Sequence, residues 1–448
     1  MNVEEQNPLA GLGGELKEKL RRMDPVRVNG RVEQVVGLVI ESTGPAASVG
    51  EACWITPADR SGEPVLAEVV GFRQHRVLLM PLGEMRGLGP GSEVVKTGAP
   101  FRTPVGPELL GRVIDALGQP LDGKGSLANL AERYPIHREP PPAMDRRRID
   151  RQVVTGVRVI DALLTLGEGQ RLGIFSGSGV GKSTLLGMVA RETEADINVI
   201  GLVGERGREV RDFLERDLGP EGLKRSVVVV ATSDQPSLLR IQAALVATAV
   251  AEYFRDQGRR VLLMMDSVTR FAMAQREVGL AIGEPPTTKG YTPSVFALLP
   301  KILERAGTTS HAGSITGLYT VLVEADDMNE PIADACRAIL DGHIVLSRDL
   351  ASQNHYPSVD VLNSVSRVMT DLASREHMDA AAKVRSVLAT YKSVEDLLSI
   401  GAYVKGSNQK VDKALDRIEN VQGFLRQRRD EQAPWNETLL RLKGFLEG

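Results

Sequence analysis

One eight-residue stretch constrains this chain more than any other. Ser176-Gly-Ser-Gly-Val-Gly-Lys-Ser183 follows the apolar run Leu172–Phe175 and precedes a segment that reads as a helix from near Lys182. Strand, glycine-rich turn and helix in that order form a cradle for an anion. Gly177, Gly179 and Gly181 allow a tight turn that points successive N–H groups into one concavity. The helix that follows presents the positive end of its dipole to the same place. Lys182 then reaches the β- and γ-phosphates of a nucleotide, and the Ser183 hydroxyl is placed to ligate Mg²⁺. The expected cofactor-binding set is Ser176, Gly177, Ser178, Gly179, Val180, Gly181, Lys182, Ser183 and Thr184. The strict pattern has glycine at its first position, where this chain has Ser176.

Binding phosphate is not hydrolysing it; that needs a carboxylate to organise Mg²⁺ and another to handle water. Asp266 ends the apolar run Val261–Met265, at the strand edge where sheet ligands collect. It is the expected Mg²⁺ residue, acting through water, and its competing reading is a cap for the helix from Ser267. Glu205 follows the run Ile197–Val203 and suits the group that polarises the attacking water. Arg206 beside it is placed to contact phosphate or orient Glu205; the alternative for both is a solvated, charged turn.

A chain of 448 residues exceeds one ordinary core, so two or three domains are expected. Residues 1–24 read as a short charged helix with an apolar stripe at Leu12, Leu16 and Leu20. From 25 to 100, short β-rich runs such as Val35–Ile40, Val65–Val70 and Arg76–Met80 alternate with Gly/Pro turns, the pattern of a small closed barrel. Between 101 and 360, near-continuous apolar runs alternate with helical stretches, which implies an α/β core with a parallel sheet buried on both faces. The runs are 171–175, 197–203, 227–231, 261–265 and 318–323, with a crossover helix expected over 236–257. From 361 to 448 the strands are expected to stop and helices to take over, as in Val384–Ile400 and Val411–Arg426.

With 55 basic and 58 acidic residues the net charge is −3, which argues against a general nucleic-acid binder. Cys53 and Cys336, far apart in sequence, are expected to stay reduced. The polar N-terminus has no apolar signal core, and the longest apolar run, Ala243–Ala251, is too short to span a membrane. These readings point to a cytoplasmic protein that meets a membrane only through partners.

Further motifs join the phosphate loop: Gly204-Glu-Arg-Gly-Arg-Glu-Val210, Asp266-Ser-Val-Thr-Arg-Phe-Ala-Met-Ala-Gln-Arg276, Ala281-Ile-Gly-Glu-Pro-Pro286, and His355-Tyr-Pro357 with Ser366-Arg367. In this order they closely resemble the type III protein-export ATPases, relatives of the catalytic β subunit of rotary ATP synthases. The resemblance covers essentially the whole chain. It implies an N-terminal β-barrel, a RecA-like ATPase core, a C-terminal helical domain and a homohexameric ring that hydrolyses ATP with Mg²⁺. By position, Lys182, Glu205, Arg206 and Arg367 look like the catalytic residues. Tyr356 resembles the aromatic side chain that stacks on adenine, with core packing as the alternative. Arg367 resembles the arginine finger given to the neighbouring subunit, with a structural salt bridge as the alternative.

The resemblance also implies partners: a peripheral-stalk-like regulatory subunit docked on the N-terminal segment, export gate and stalk proteins, and chaperone-bound export substrates. The segment 281–300 resembles the family's pore-lining loop. The family serves either flagella or virulence injectisomes, and Ile400-Gly-Ala-Tyr-Val-Lys-Gly-Ser407 looks more like the flagellar branch. A rotary ATP synthase subunit fits less well because of 281–286 and the C-terminal stretch. A hexameric RNA translocase would need a basic, aromatic barrel, and residues 26–100 hold only Trp54 and Phe72 as aromatics.

Overall fold

The computed structural model describes residues 28–59, 62–323 and 327–446; the stripe at Leu12, Leu16 and Leu20 lies outside them. The chain divides at Pro100 into two compact units.

In the first unit, β1 (Gly30–Val36), β2 (Val39–Thr43), β3 (Glu51–Thr56), β4 (Val65–Arg73), β5 (Arg76–Pro81) and β6 (Glu93–Pro100) close a barrel in the order β1–β2–β5–β4–β3–β6. Val32, Ile40, Ile55, Val69, Leu79 and Val94 fill its interior, with the buried Cys53 thiol among them. The run Val35–Ile40 is two strands rather than one. A turn at Gly37–Leu38 folds it into a hairpin that pairs Val36 with Val39.

The second unit is built on a mostly parallel sheet. Its strands are β7 (Arg112–Asp115), β8 (Arg171–Ser176), β9 (Ile197–Glu205), β10 (Ser226–Thr232), β11 (Arg260–Asp266), β12 (Ser314–Leu322), β13 (Gly342–Leu346) and β14 (Val359–Ser366). They lie in the order β14–β13–β8–β12–β11–β9–β10–β7, with β14 antiparallel to β13. Helices α1 (Lys182–Glu192), α2 (Ser237–Asp256), α3 (Val268–Ile282), α4 (Pro293–Leu303) and α5 (Pro331–Ile339) connect them. Burial of both sheet faces explains why these strands read as apolar runs instead of alternating ones. The strands continue to Ser366, so the change to helix comes after β14 and not at 361.

Among the described residues α2 is the one helix long and apolar enough to cross a membrane, but 94% of its apolar window is buried in the protein. It carries Glu252, which holds the buried Arg305 guanidinium through two hydrogen bonds of 2.9 and 2.7 Å. That is the behaviour of a core helix.

The C-terminal helices α6 (Arg375–Lys392), α7 (Gln409–Leu425) and α8 (Trp435–Lys443) pack on one another. Val384, Val421, Phe424 and Leu442 belong to the same apolar cluster as Leu172, Ile174 and Leu185 of the core. The helical part is therefore anchored on the sheet by continuous packing.

Candidate active site

The loop after β8 delivers Lys182 at the first turn of α1, and Gly181 caps that helix at φ 90°, a left-handed conformation that suits glycine. β9 and β11 lie side by side, and both end in a carboxylate at the same sheet edge. Lys182 Nζ contacts Asp266 Oδ1 and lies 3.3 Å from Glu205 Oε1. A register shift between Val203 and Glu205, with Gly204 at φ 72°, breaks the ladder and re-aims the Glu205 side chain. Thr320 Oγ1 of the neighbouring β12 donates to Asp266 Oδ1 at 2.7 Å.

This cluster is sheltered from water: Asp266 is 3% and Glu205 9% exposed. Glu205 is therefore no solvated turn residue. The cap of α3 is Ser267, whose side chain accepts from the Arg270 amide, which leaves Asp266 to the cluster. Burial pushes the Glu205 carboxyl up to about 7; Lys182 pulls it down and Asp266 pushes it up. Burial by itself would lower the Lys182 ammonium, but the Asp266 and Glu205 carboxylates outweigh it and hold it above the ordinary lysine value.

Tyr356 flanks the loop on its other side. A Cβ on Gly181 would come within 3.2 Å of its ring, so a side chain there would push the tyrosine aside by a few tenths of an ångström. Ser358 Oγ donates to the Val180 carbonyl at 2.6 Å and ties the two loops together. At 40% exposure Tyr356 is not a core residue; it faces a cleft of about 740 Å³ with Gly179, Gly181, Thr184, Leu185 and residues 426–431 on its walls. Ser176 is buried: its carbonyl accepts from the Val323 amide at 3.0 Å, and its hydroxyl has no partner among the described residues. Ser178 is exposed, and Gly177 is buried.

The two arginines lie elsewhere. Arg206 points to solvent and pairs with Glu209 at 3.2 Å; Glu209 in turn hydrogen-bonds Glu205. Arg367 is exposed, and its guanidinium donates to the Arg337 carbonyl at 3.2 Å and makes no salt bridge among the described residues. Ser366 pairs with Gly342, whereas Leu346, four residues further along β13, pairs with Ser176. Arg367 therefore sits at the end of the sheet opposite the phosphate loop, a separation of about 13 Å along the strand. The 281–300 segment takes in the end of α3, a connection over 283–292 whose Tyr291 and Thr292 are buried, and the first two turns of α4.

Residues 32–98 match the ATP synthase alpha/beta family, beta-barrel domain, and residues 156–366 its nucleotide-binding domain. Residues 373–444 match the T3SS EscN ATPase C-terminal domain. The flagellum-specific ATP synthase of Bacillus subtilis is 57% identical over 94% of this chain and 95% of its own. The type 3 secretion system ATPase of Xanthomonas euvesicatoria is 52% identical over 95% of each. This chain belongs to the flagellar and type III secretion ATPases. The structure of the assembled ATPase EscN from the enteropathogenic E. coli type III secretion system superposes with a TM-score of 0.86, at 45% identity over 93% of this chain and 100% of that one. Barrel, nucleotide-binding α/β domain and helical C-terminus are the architecture of this export ATPase.

The fold brings further residues to the export ATPase site whose part there the sequence reading did not single out. Thr320 comes beside Asp266 only because β12 pairs in parallel with β11, Tyr319 opposite Met265. Arg270 is pressed against Gly204, with its Nε buried and unpartnered among the described residues. Gln427 and Arg429 reach the cleft from the loop after α7. Among the described residues, no three His, Cys, Asp or Glu side chains gather as a self-sufficient metal site. Mg²⁺ in a nucleotide enzyme needs no such cluster, since it takes one or two protein oxygens and completes its shell with phosphates and water.

Proposed function

We propose that this chain is the ATP-hydrolysing subunit of a flagellar protein-export apparatus, working as a homohexameric ring with one nucleotide at each subunit boundary. The observation that carries the chemistry is Lys182 held between Asp266 and Glu205 at one sheet edge. In this reading the loop amides from Gly177 to Ser183 and the Lys182 ammonium cradle the phosphates, and Tyr356 stacks on adenine. Ser183 and Asp266 would hold Mg²⁺, which supplies charge neutralisation between the β- and γ-phosphates. Glu205, with its carboxyl poised near 7, accepts a proton from the attacking water. Water oxygen bonds to the γ-phosphorus as the bond to the β,γ-bridging oxygen breaks, leaving ADP and phosphate.

Arg367 supplies the charge-stabilising guanidinium in trans, since its own chain holds it far from Lys182. Arg206 would approach the γ-phosphate only after releasing Glu209. EscN, a chain 45% identical to this one, has been solved in complex with its central stalk EscO. A stalk partner suits the helical domain here, which exposes Ile400 (74%), Val404 and Leu397 close together in sequence. The remaining proposed partners are a regulatory subunit on the N-terminal segment, an export gate, and chaperone-bound substrates. Through them the cytoplasmic ring sits at the inner face of the membrane; nucleic acid has no part in it.

The test is phosphate release from MgATP, with and without chelation of Mg²⁺, alongside ring assembly by mass measurement. Lys182→Ala should abolish turnover while leaving a folded protein. Appreciable activity in that variant refutes the site. Restoration of motility, rather than injectisome secretion, in a strain lacking the native export ATPase decides the branch.

A further inference from the structure

The loop after α7 is fastened to the nucleotide cleft through one buried amide side chain. Gln427 is 4% exposed and uses both of its amide hydrogens and its carbonyl oxygen. Its Oε1 accepts from the Arg158 amide at 2.8 Å, and its Nε2 donates to the carbonyls of Gly156 at 2.8 Å and Glu431 at 2.9 Å. Its own backbone N–H donates to the Tyr356 carbonyl at 2.9 Å. Arg158 reinforces the junction: its guanidinium donates to the Phe424 and Arg426 carbonyls, both at 2.9 Å, and contacts Glu431.

We propose that Gln427 is a positioning residue for the nucleotide base, holding Tyr356 against Gly181 and registering the 426–431 wall of the cleft on the start of the nucleotide-binding domain. This rests on the reading that Tyr356 stacks on adenine. Residues 427 and 356 belong to different structural layers, and the ties on the Tyr356 loop come from two sides: Ser358 to Val180, and Gln427 to Tyr356. The side-chain bonds of Gln427 hold in place the backbone whose N–H makes the second tie; without them that backbone, and Tyr356 with it, drifts with the C-terminal helices while the first tie still fixes the loop at the phosphate end. The catalytic carboxylates lie beyond the phosphate end, so affinity suffers and the chemical step does not.

The decisive measurement is a double-mutant cycle of KM and kcat for ATP across wild type, Gln427→Met, Tyr356→Ala and the double variant, with melting temperatures to establish that each is folded. Gln427→Met keeps the length and the backbone N–H and removes every polar atom of the side chain; Gln427→Glu, which keeps the acceptor facing Arg158, serves if the first does not fold. Expected are a rise in KM of about tenfold with kcat within about threefold, and little further loss in the double variant, because both changes remove the same base contact. Two results overturn the proposal while sparing the adenine assignment. One is an unchanged KM in a folded Gln427 variant when Tyr356→Ala raises it, and the other is strictly additive losses. A silent Tyr356→Ala overturns both.

Discussion

Glu205→Gln separates catalysis from stability in opposite directions. The Glu205 carboxyl has its pKa raised from 4.5 to about 7 in the folded protein, so the folded state holds a proton that the unfolded chain gives up. Stability of the wild type therefore falls as pH rises from 4.5 to about 7 and levels off above that. Keeping the charged form buried costs about 3 kcal/mol at pH 8 and under about 1 kcal/mol at pH 5. Glutamine resembles the protonated acid in shape and charge, so the variant escapes that cost. Without nucleotide, Glu205→Gln should melt several degrees above wild type at pH 8 and within about a degree of it at pH 5. The same variant should bind ATP and release almost no phosphate, since the water has lost its proton acceptor. Calorimetry at the two pH values, paired with a phosphate-release assay, reads both effects. A variant that melts lower at pH 8, or one whose gain is the same at both pH values, refutes the placement of a strained carboxyl beside Lys182.

Two further outcomes follow from the geometry. Mixing Arg367→Ala subunits with Lys182→Ala subunits should recover activity that neither has alone, because some boundaries then combine an intact Lys182 with an intact Arg367; no recovery in mixed rings would mean that Arg367 acts within its own chain. Thr320→Val removes the 2.7 Å hydrogen bond to Asp266 and should weaken the fold by about 1–3 kcal/mol. It should also raise the Mg²⁺ concentration needed for half-maximal turnover several-fold, as read from a Mg²⁺ titration at fixed ATP.

The features that could be read from the chain were those carried by contiguous residues. The loop from Ser176 to Ser183 sits where its strand and helix put it, and strands buried on both faces announce themselves as apolar runs. Elements whose identity depends on a partner strand were harder. β14 reads poorly because its outer positions Leu362, Asn363 and Val365 are exposed, and only its ladder with β13 makes it a strand. The hairpin inside Val35–Ile40 was hidden because its turn, Gly37–Leu38, carries a leucine within an apolar stretch. Thr320 and Gln427 carry no local signature, since each gains its role from residues dozens to hundreds of positions away. Adjacency to Glu205 does not by itself fix where Arg206 points: a strand-to-helix turn sends consecutive side chains in different directions, and Arg206 faces solvent and pairs with Glu209.

Lys182 sits at the strand ends of the core sheet and Arg367 at the strand starts, so in the proposed trans arrangement the two ends would carry different halves of one reaction centre. Contacts between copies that join the two are head-to-tail, and a two-fold dimer cannot form them with itself. An open chain of n such copies completes n − 1 centres and leaves one unused Lys182 pocket and one unused Arg367. Closure supplies the missing centre and removes both loose ends at once. Activity per subunit should therefore climb with oligomer length and step up at closure, so that geometry alone would keep stray subunits from consuming ATP.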